Sequence, residues 1–446
     1  MGEVRLAPSS RLWLDAAMSD APNKLLDDCF AHDKKRLLHA EALAILKERV
    51  RPVVGIEPVP LAKAAGRILA QSAAAPLPVP AHTNAAVDGF SFAAADYDKA
   101  KGTQFVVEGR AAAGHPLTGR ASARTAARIF TGAVMPDGHD TVVMQEDVRF
   151  GTVEGKSIVA VPAGLKGGAN VRKAGEDVKQ GEVVLASGAV LRPQDLSALA
   201  SLGYGKVDCF KRLQVGIVST GDEVVRAGAT LQPGQVHDAN APMLAPLIAE
   251  AGALATDLGV FPDDLEAVKR RLAEAARSFD VILTSGGASR GEEDHVVAAL
   301  DQLGRRHMWQ LAIKPGRPMS FGQIGDTVVV GLPGNPVAVF VCFLLYVWPL
   351  LRRMGGAEWP EPRRYRLPAL FDFPNRKVGR REFWRGMLRE TPQGLAVDKF
   401  ARDGSGLISG LRAADGLIDI PEDVGDVKRG DPVAFIPFSE FGIVGR

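Results

Sequence analysis

The chain has few of the features that would each announce a chemistry. It carries 3 cysteines in 446 residues, Cys29, Cys209 and Cys342, far apart and in no CxxC pair. A sparse, odd set of this kind fits a reducing compartment and argues against a zinc ribbon. No G-x-S-x-G elbow, no HExxH and no Walker A lysine motif occurs, which removes three common catalytic readings. Histidine is scarce: the 8 present are scattered, and His82, His115, His237 and His295 share no metal-ligand spacing. Charge is nearly balanced, with Lys+Arg 54 against Asp+Glu 52 and no long basic block. Nucleic acid and membrane surfaces are therefore not expected partners. The first residues lack the apolar core of a secretory signal, and Leu6 stands where a myristoylation motif needs Ser or Thr. The longest apolar run, 337–351, falls short of the ~18 residues of a membrane span and reads as a buried helix. A cytoplasmic protein is expected.

The length suggests roughly three domains, and 46% hydrophobic against 24% charged residues is an ordinary globular balance. Residues 1–35 read as a partly disordered leader. "KRLLHAEALAILKERV" (35–50) has helical apolar spacing, and a second helix is expected over "LAKAAGRILAQSA". Three prolines make 75–90 an extended loop. Short β-type runs from about 104 to 161 suggest a small β domain inserted into a helical one, which resumes with "PQDLSALASLG", Pro193 suiting a first helical turn. Residues 213–351 alternate strand and helix, implying an α/β layer with a mostly parallel sheet. Beyond about 358 the short strands return, and a small β-barrel is expected.

Three glycine-bearing loops each follow an apolar strand of the α/β region: "STGDE", "SGGASRGEED" and "LPGNP". Loops at the C-terminal ends of parallel strands share one crevice, where ligands bind. In the first, Ser219 and Thr220 can donate hydroxyls, Gly221 lets the backbone approach a ligand, and Asp222 and Glu223 add negative charge; an Asx turn capping a helix explains the same residues. In the second, Gly286, Gly287 and Ser289 can form an amide nest for an anion, with Ser285 at its start, while Asp294 can hold Mg²⁺ directly or through water. An acidic first helical turn accounts for the acids but not for the preceding Gly-Gly-Ala-Ser-Arg. In the third, beside Gly334, Asn335 suits an N-cap and Pro336 the first helical position, and the apolar helix behind would hold its positive end toward the crevice. "AIKPGRP" places Lys314 and Arg317 on a stiff turn that suits an oxyanion, or simply a solvated surface turn. Asp263 and Asp264 add carboxylates at a strand end, with helix capping the competing explanation.

Together with "AAVDGF" (85–90), "RIFTGAVMPDGHDTVVMQED" (128–147) and "NVRKAGEDV" (170–178), these stretches resemble the molybdopterin molybdotransferase family, the bacterial MoeA and gephyrin E-domain type. The resemblance runs from about residue 36 to the end. It implies an elongated helical dimerisation domain of two segments (36–83 and 165–207), an inserted β domain (84–164), a MogA-like α/β domain (208–357) that binds molybdopterin, and a C-terminal β-barrel (358–446). It implies a homodimer whose active site is shared between chains, and Mg²⁺-dependent insertion of molybdate into adenylylated molybdopterin with release of AMP. By motif it carries over Asp88, Thr131 and Asp177 from the first part. From the α/β part come Glu223, Asp263, Asp294, Lys314, Pro333 and Pro336, with Glu223, Asp263 and Asp294 toward the metal. Arg385 and Ser409 are carried over from the C-terminal part. Molybdopterin adenylyltransferase and molybdoenzymes are the further partners implied.

The chain departs from the family pattern at Gln310, where a lysine is usual, at Arg290, at His295 in place of an aromatic, at Arg317 in place of lysine, and at Phe90 in place of tyrosine. Arg290 is expected to compensate for the charge missing at Gln310. Two other readings stand beside the main one. In the first the chain is a molybdopterin adenylyltransferase, in the second a non-catalytic, gephyrin-like scaffold for a peptide.

Overall fold

The structure, a computed structural model, describes residues 36–286 and 295–444. The nest residues Gly287 and Ser289, together with Arg290 and Asp294, lie outside these residues.

Two distant chain segments build an arm by pairing antiparallel: Ile56–Pro60 with Lys206–Phe210, Ala73–Ala74 with Val183–Leu185, and Asn84–Ala85 with Val171–Arg172. Val59, Ala64, Leu69, Leu191, Leu199 and Val207 form its core. The helix expected over "LAKAAGRILAQSA" does not form; only a 3-10 turn, Leu61–Lys63, is present. Gly66 takes φ 71, and Ile68 and Leu69 bridge to Val190 and Cys209. Pairing across the arm overrides the local helix preference of this alanine-rich stretch. The arm keeps one α-helix, Pro193–Ser201, started by Pro193 and by the Asp195 carboxylate accepting from Arg192 N at 2.8 Å. Helix His39–Arg49, assigned from sequence to this domain, instead buries Ala42 and Leu46 in the core of the α/β layer, alongside Val215 and Phe343.

The inserted sheet runs Thr141–Met144, Gly89–Phe92, Thr125–Ile129, Thr103–Ala111, Lys156–Val161, Arg149–Val153. Gly89–Phe92, at the end of the stretch expected to be loop, is a fully buried strand between two neighbours. Gly89 is required there: a Cβ would lie 1.8 Å from the Val143 carbonyl oxygen.

The α/β sheet has the order Leu254–Phe261, Gln214–Thr220, Val281–Ser285, Thr327–Leu332, Pro318–Ile324, Arg305–Gln310. The first four strands are mutually parallel, as the alternation predicts, and the last two add an antiparallel edge. Ser219 pairs with Ser285, and Ser285 with Leu332, so the three glycine-bearing loops leave the sheet side by side. Helices Leu265–Ala275 and His295–Leu303 cover one face. The other face holds helix Asn240–Glu250 and the long apolar helix. That helix spans Pro336–Met354 with a π-helical turn at Phe343–Val347. At 19 residues it is longer than the apolar run alone suggests and would suffice for a membrane span by length and composition, yet it is packed almost wholly inside the protein.

The C-terminal sheet joins Ile313–Lys314, Arg381–Thr391, Gly416–Ile420, Pro432–Pro437 and Tyr365–Pro368 in that order, with Gly394–Lys399 also paired to Arg381–Thr391. A bridge between Ala369 and Val397 links its two flanks. Its first strand comes from the α/β region: Ile313 pairs with Arg381 and Lys314 with Glu382. The Lys314–Arg317 turn is thereby clamped between the two layers.

Candidate active site between the α/β layer and the C-terminal sheet

A cavity of about 580 Å³ opens where these layers meet. Six of the residues singled out from sequence line it: Gly286, Lys314, Pro333, Gly334, Asn335 and Arg385. The opposite wall was not expected. It comes from Phe383, Trp384, Lys399, Phe400, Asp403, Gly404 and Ser405, of which the only sequence signal is the glycine-rich stretch "RDGSG".

On the α/β side the loops are held by their own polar groups. Thr284 Oγ1 donates to Gly286 O at 2.9 Å, and Thr220 Oγ1 donates to Ser285 O at 3.4 Å. Gly286 has φ 103, and a Cβ there would meet Thr220 Oγ1 at 2.4 Å, so the close approach of these two loops demands glycine. Ser219 donates to the buried Asp238, which also receives Arg226 at 2.6 Å and the amides of Asn240 and Ala241 at 2.9 and 3.1 Å. Sequence reasoning missed both Asp238 and Asn240.

The third loop behaves differently from the expectation. Asn335 occupies the N-cap position but makes no side-chain cap bond, which leaves its amide to the cavity. The Val337 amide is taken by Ser405 O at 2.9 Å, so the C-terminal loop caps this helix in part. Pro336 occupies the first turn and faces a separate, apolar cavity lined by Phe340, Ile408 and Leu411.

From the C-terminal side Arg385 is buried and donates to Leu407 O at 3.1 Å and Arg402 O at 2.7 Å, with its guanidinium over the Phe400 ring. It thus holds the 402–407 loop that forms the wall. Burial pushes its pKa down, partly offset by Asp403. Lys314 Nζ lies 3.6 Å from Glu382, which also meets Arg380 at 3.0 Å and Arg376 at 3.7 Å. Burial pushes the Glu382 carboxyl up, but the Trp384 indole N–H, Lys314 and Arg380 outweigh it and hold it below the usual range. Behind the turn, Arg36, Lys314, Arg317, Lys377 and Arg380 line a second cavity of about 290 Å³.

The remaining predicted residues lie elsewhere. Asp88 and Thr131 sit together on the inserted sheet, where Thr131 N and Oγ1 both donate to Asp88 Oδ1 at 2.7 Å. Asp177 is exposed on the arm, its amide donating to Val79 O at 3.1 Å. Ser409 is exposed on helix Ile408–Ala413 and does not line the main cavity. Gln310 lines neither the main nor the cationic cavity. No helix follows "STGDE" directly; Val224–Val225 pairs with Val236–His237 instead. Glu223 is exposed, and its carboxylate folds back over Gly221. Asp263 Oδ1 lies 3.4 Å from His295 Nε2, while Asp264 is the helix cap, accepting from Ala267 N at 2.7 Å. Among the described residues no three acidic, histidine or cysteine side chains gather into a metal cage.

Three family models match successive parts of the chain. The MoeA N-terminal region (domain I and II) matches residues 38–203, a family described as "probable molybdopterin binding domain" matches 216–353, and the MoeA C-terminal region (domain IV) matches 366–438. A molybdopterin molybdenumtransferase of Haemophilus influenzae is 36% identical over 381 residues, covering 85% of this chain and 93% of its own. Molybdopterin molybdenumtransferase 2 of Mycobacterium tuberculosis is 34% identical over 404 residues, covering 88% and 96%. The crystal structure of a molybdopterin biosynthesis MoeA protein from Pyrococcus horikoshii superposes with a TM-score of 0.77 at 30% identity, covering 90% of this chain and 100% of that one. With such identity along nearly its whole length, the chain belongs to the molybdopterin molybdenumtransferase family.

Proposed function

We propose that the protein is a transferase of molybdenum cofactor biosynthesis that inserts molybdate into adenylylated molybdopterin and releases AMP. The observation that carries the reading is the main cavity: strand-end loops with Gly286 and Gly334 on one side, Lys314, Lys399 and Arg385 among its cations, and Trp384 and Phe400 as aromatic walls. Such a cavity suits a substrate that is at once anionic and flat. The chemistry balances without an outside reagent. Molybdate loses one oxygen as water when the two sulfurs bind, and water adds across the phosphoanhydride as AMP leaves.

The chain's part is positioning and charge stabilisation, with no covalent nucleophile required. The amides and hydroxyls of the strand-end loops bind phosphate oxygens. Lys314 and Arg317, clamped between two sheets, present fixed cations to the oxyanion. Arg385 keeps the 402–407 loop in place so that water is displaced from the aromatic wall. The oxygen donors Glu223 and Asp263, with Asp294 beyond the described residues, fit Mg²⁺ held through one or two carboxylates plus substrate phosphates rather than in a protein cage. When bound, Mg²⁺ would offset the anhydride charge.

We read the protein as a homodimer in which Asp88, Thr131 and Asp177 serve the partner's cavity. The separation of these accessible groups from the cavity lining supports this. We read the C-terminal sheet as the expected barrel, supported by the Ala369–Val397 bridge. The free, buried Cys209 and Cys342 suit the cytoplasm, where an adenylyltransferase would supply the substrate. Reconstitution with adenylylated molybdopterin, molybdate and Mg²⁺ tests the reading. AMP and active cofactor should appear together, and ATP consumption with non-adenylylated molybdopterin would favour an adenylyltransferase instead.

A further inference from the structure

Asn240 opens the helix behind the three strand-end loops, and neither its position nor its neighbours in sequence mark it as functional. It is buried, with 7% of its surface exposed. Its Nδ2 lies 2.6 Å from Ser285 Oγ and 2.8 Å from Gly334 O. A carbonyl oxygen only accepts, so the amide atom facing Gly334 must be the NH₂ group, and the orientation of the side chain is fixed by chemistry. The same NH₂ then donates to Ser285 Oγ. That hydroxyl belongs to a residue only 6% exposed; it accepts from Asn240 and donates to no other group among the described residues. Gly286, which follows Ser285, and Gly334 both line the main cavity. The other end of the amide, Oδ1, is buried without a hydrogen-bond partner among the described residues. A buried orphan of this kind is rare unless the arrangement serves something else.

We propose that Asn240 is a positioning residue: by donating both amide protons, one to Ser285 Oγ and one to Gly334 O, it leaves the Ser285 hydroxyl proton to an anionic group of the bound substrate. Together the two bonds tie Ser285 to Gly334, so one side chain sets both the spacing of these two strand ends and the direction of the hydroxyl. Asp238, two residues earlier, anchors the same turn through the Asn240 and Ala241 amides and through Ser219. The inference rests on the proposed function for the identity of the anion, a phosphate of the adenylylated substrate.

The test is AMP binding by calorimetry to the full chain, measured from pH 8 to pH 6 for the unaltered protein, Asn240→Asp, Asn240→Ala and Ser285→Ala. At pH 8 the Asn240→Asp carboxylate would accept the Ser285 proton and repel the Gly334 carbonyl, reversing the hydrogen bond. AMP binding should weaken about tenfold, the scale of one lost hydrogen bond to a charged group. Burial raises a carboxyl pKa, so protonation toward pH 6 should return part of the loss relative to the unaltered protein, while Asn240→Ala stays weak at every pH. The double change Asn240→Ala with Ser285→Ala should weaken binding by less than the sum of the two single changes, because the hydroxyl that Asn240 directs is already gone in Ser285→Ala. If Asn240→Asp fails to fold by thermal melting, the alanine cycle alone decides. Wild-type AMP affinity in Asn240→Asp at pH 8, or strictly additive alanine effects, overturns the inference. Failure of the unaltered protein to release AMP from adenylylated molybdopterin and molybdate overturns the proposed function, and the inference with it.

Discussion

Thr131 binds Asp88 twice at one atom: its amide and its hydroxyl both donate to Asp88 Oδ1 at 2.7 Å, and neither engages Oδ2. The Thr131 amide, then its hydroxyl, hold the Asp88 carboxyl below its ordinary pKa, with Arg128 adding to the effect. Asp88 is thus kept ionised and fixed in direction, as a carboxylate meant to meet a cation or a donor from elsewhere would be.

We expect Thr131→Val, which removes the hydroxyl but keeps the amide, to raise the Asp88 pKa toward the ordinary carboxylate value. The carboxylate's ionised range would then begin at higher pH. A carbon-13 titration of the Asp88 carboxyl reads this directly; an unmoved midpoint would show that the hydroxyl does not stabilise the charge.

If Asp88 acts in the partner's cavity, a chain with Asp88→Ala and a chain with Lys314→Ala should complement each other. Mixing them under conditions of subunit exchange should restore up to about a quarter of wild-type AMP release. This is the activity of one intact site in a randomly mixed pair of subunits. Demonstrated exchange without rescue would place Asp88 outside a shared site.

Burial, and next the charge of Arg381, lower the His39 pKa from 6.5 to about 3, while Asp419 pulls it up and Arg364 down. The ring is therefore neutral in the fold, with Nδ1 2.8 Å from the Tyr346 hydroxyl. Between about pH 6.5 and 3 the unfolded chain binds a proton that the folded chain does not, so stability is full above 6.5 and falls as the pH drops through this window. The slope approaches ~1.4 kcal/mol per pH unit for one such group. His39→Gln keeps a polar partner for Tyr346 without titrating. Urea midpoints from pH 7 to pH 4 should fall less steeply for this variant than for the unaltered chain; parallel curves would remove His39 as the cause.

Gly316 has φ 98, and a Cβ there would lie 2.2 Å from the buried Cys342 sulfur. Gly316→Ala should cost about 2–4 kcal/mol from overpacking and left-handed strain together. Adding Cys342→Ala should recover the overpacking part only, which a double-mutant cycle on the urea midpoint would reveal as coupling.

Arg385→Lys should lose one of the two carbonyl contacts at Leu407 and Arg402, a destabilisation of about 1.5–3 kcal/mol for a bond to a charged donor. AMP release should fall by more than the stability change explains at temperatures where the chain stays folded. Normal turnover at such a temperature would show that the 402–407 loop needs no such anchor.

The α/β layer was legible because three of its four parallel strands, Gln214–Thr220, Val281–Ser285 and Thr327–Leu332, are compact apolar runs followed by Gly or Pro, a pattern set by burial on both faces, while Leu254–Phe261 is a half-exposed edge. The convergence of Gly286 and Gly334 follows from that topology. The arm was not legible: residues 61–73 have the composition of a helix, and only partners far along the chain, Val190 and Cys209, make Ile68 and Leu69 extended. The cavity wall of Lys399 to Ser405 was missed because its residues belong to another sheet, brought over by the pairing of Ile313–Lys314 with Arg381 and Glu382. Asn240 was invisible for a related reason. An amide's role depends on which carbonyl it faces, and Gly334 is a neighbour only in space.

The arm's three ladders also predict an order of assembly. Ile56–Pro60 and Lys206–Phe210 are separated by the whole inserted sheet, and joining such distant segments directly is slow because a long loop must close first. Once the inserted sheet has folded, it brings Asn84–Ala85 against Val171–Arg172, and the remaining pairs can add outward one after another like a closing zip. The topology therefore predicts that the inserted sheet acts as a folding template for the arm. A lesion in its core, at Phe92 or Phe105, would be felt first as slow closure of the arm far from the damage.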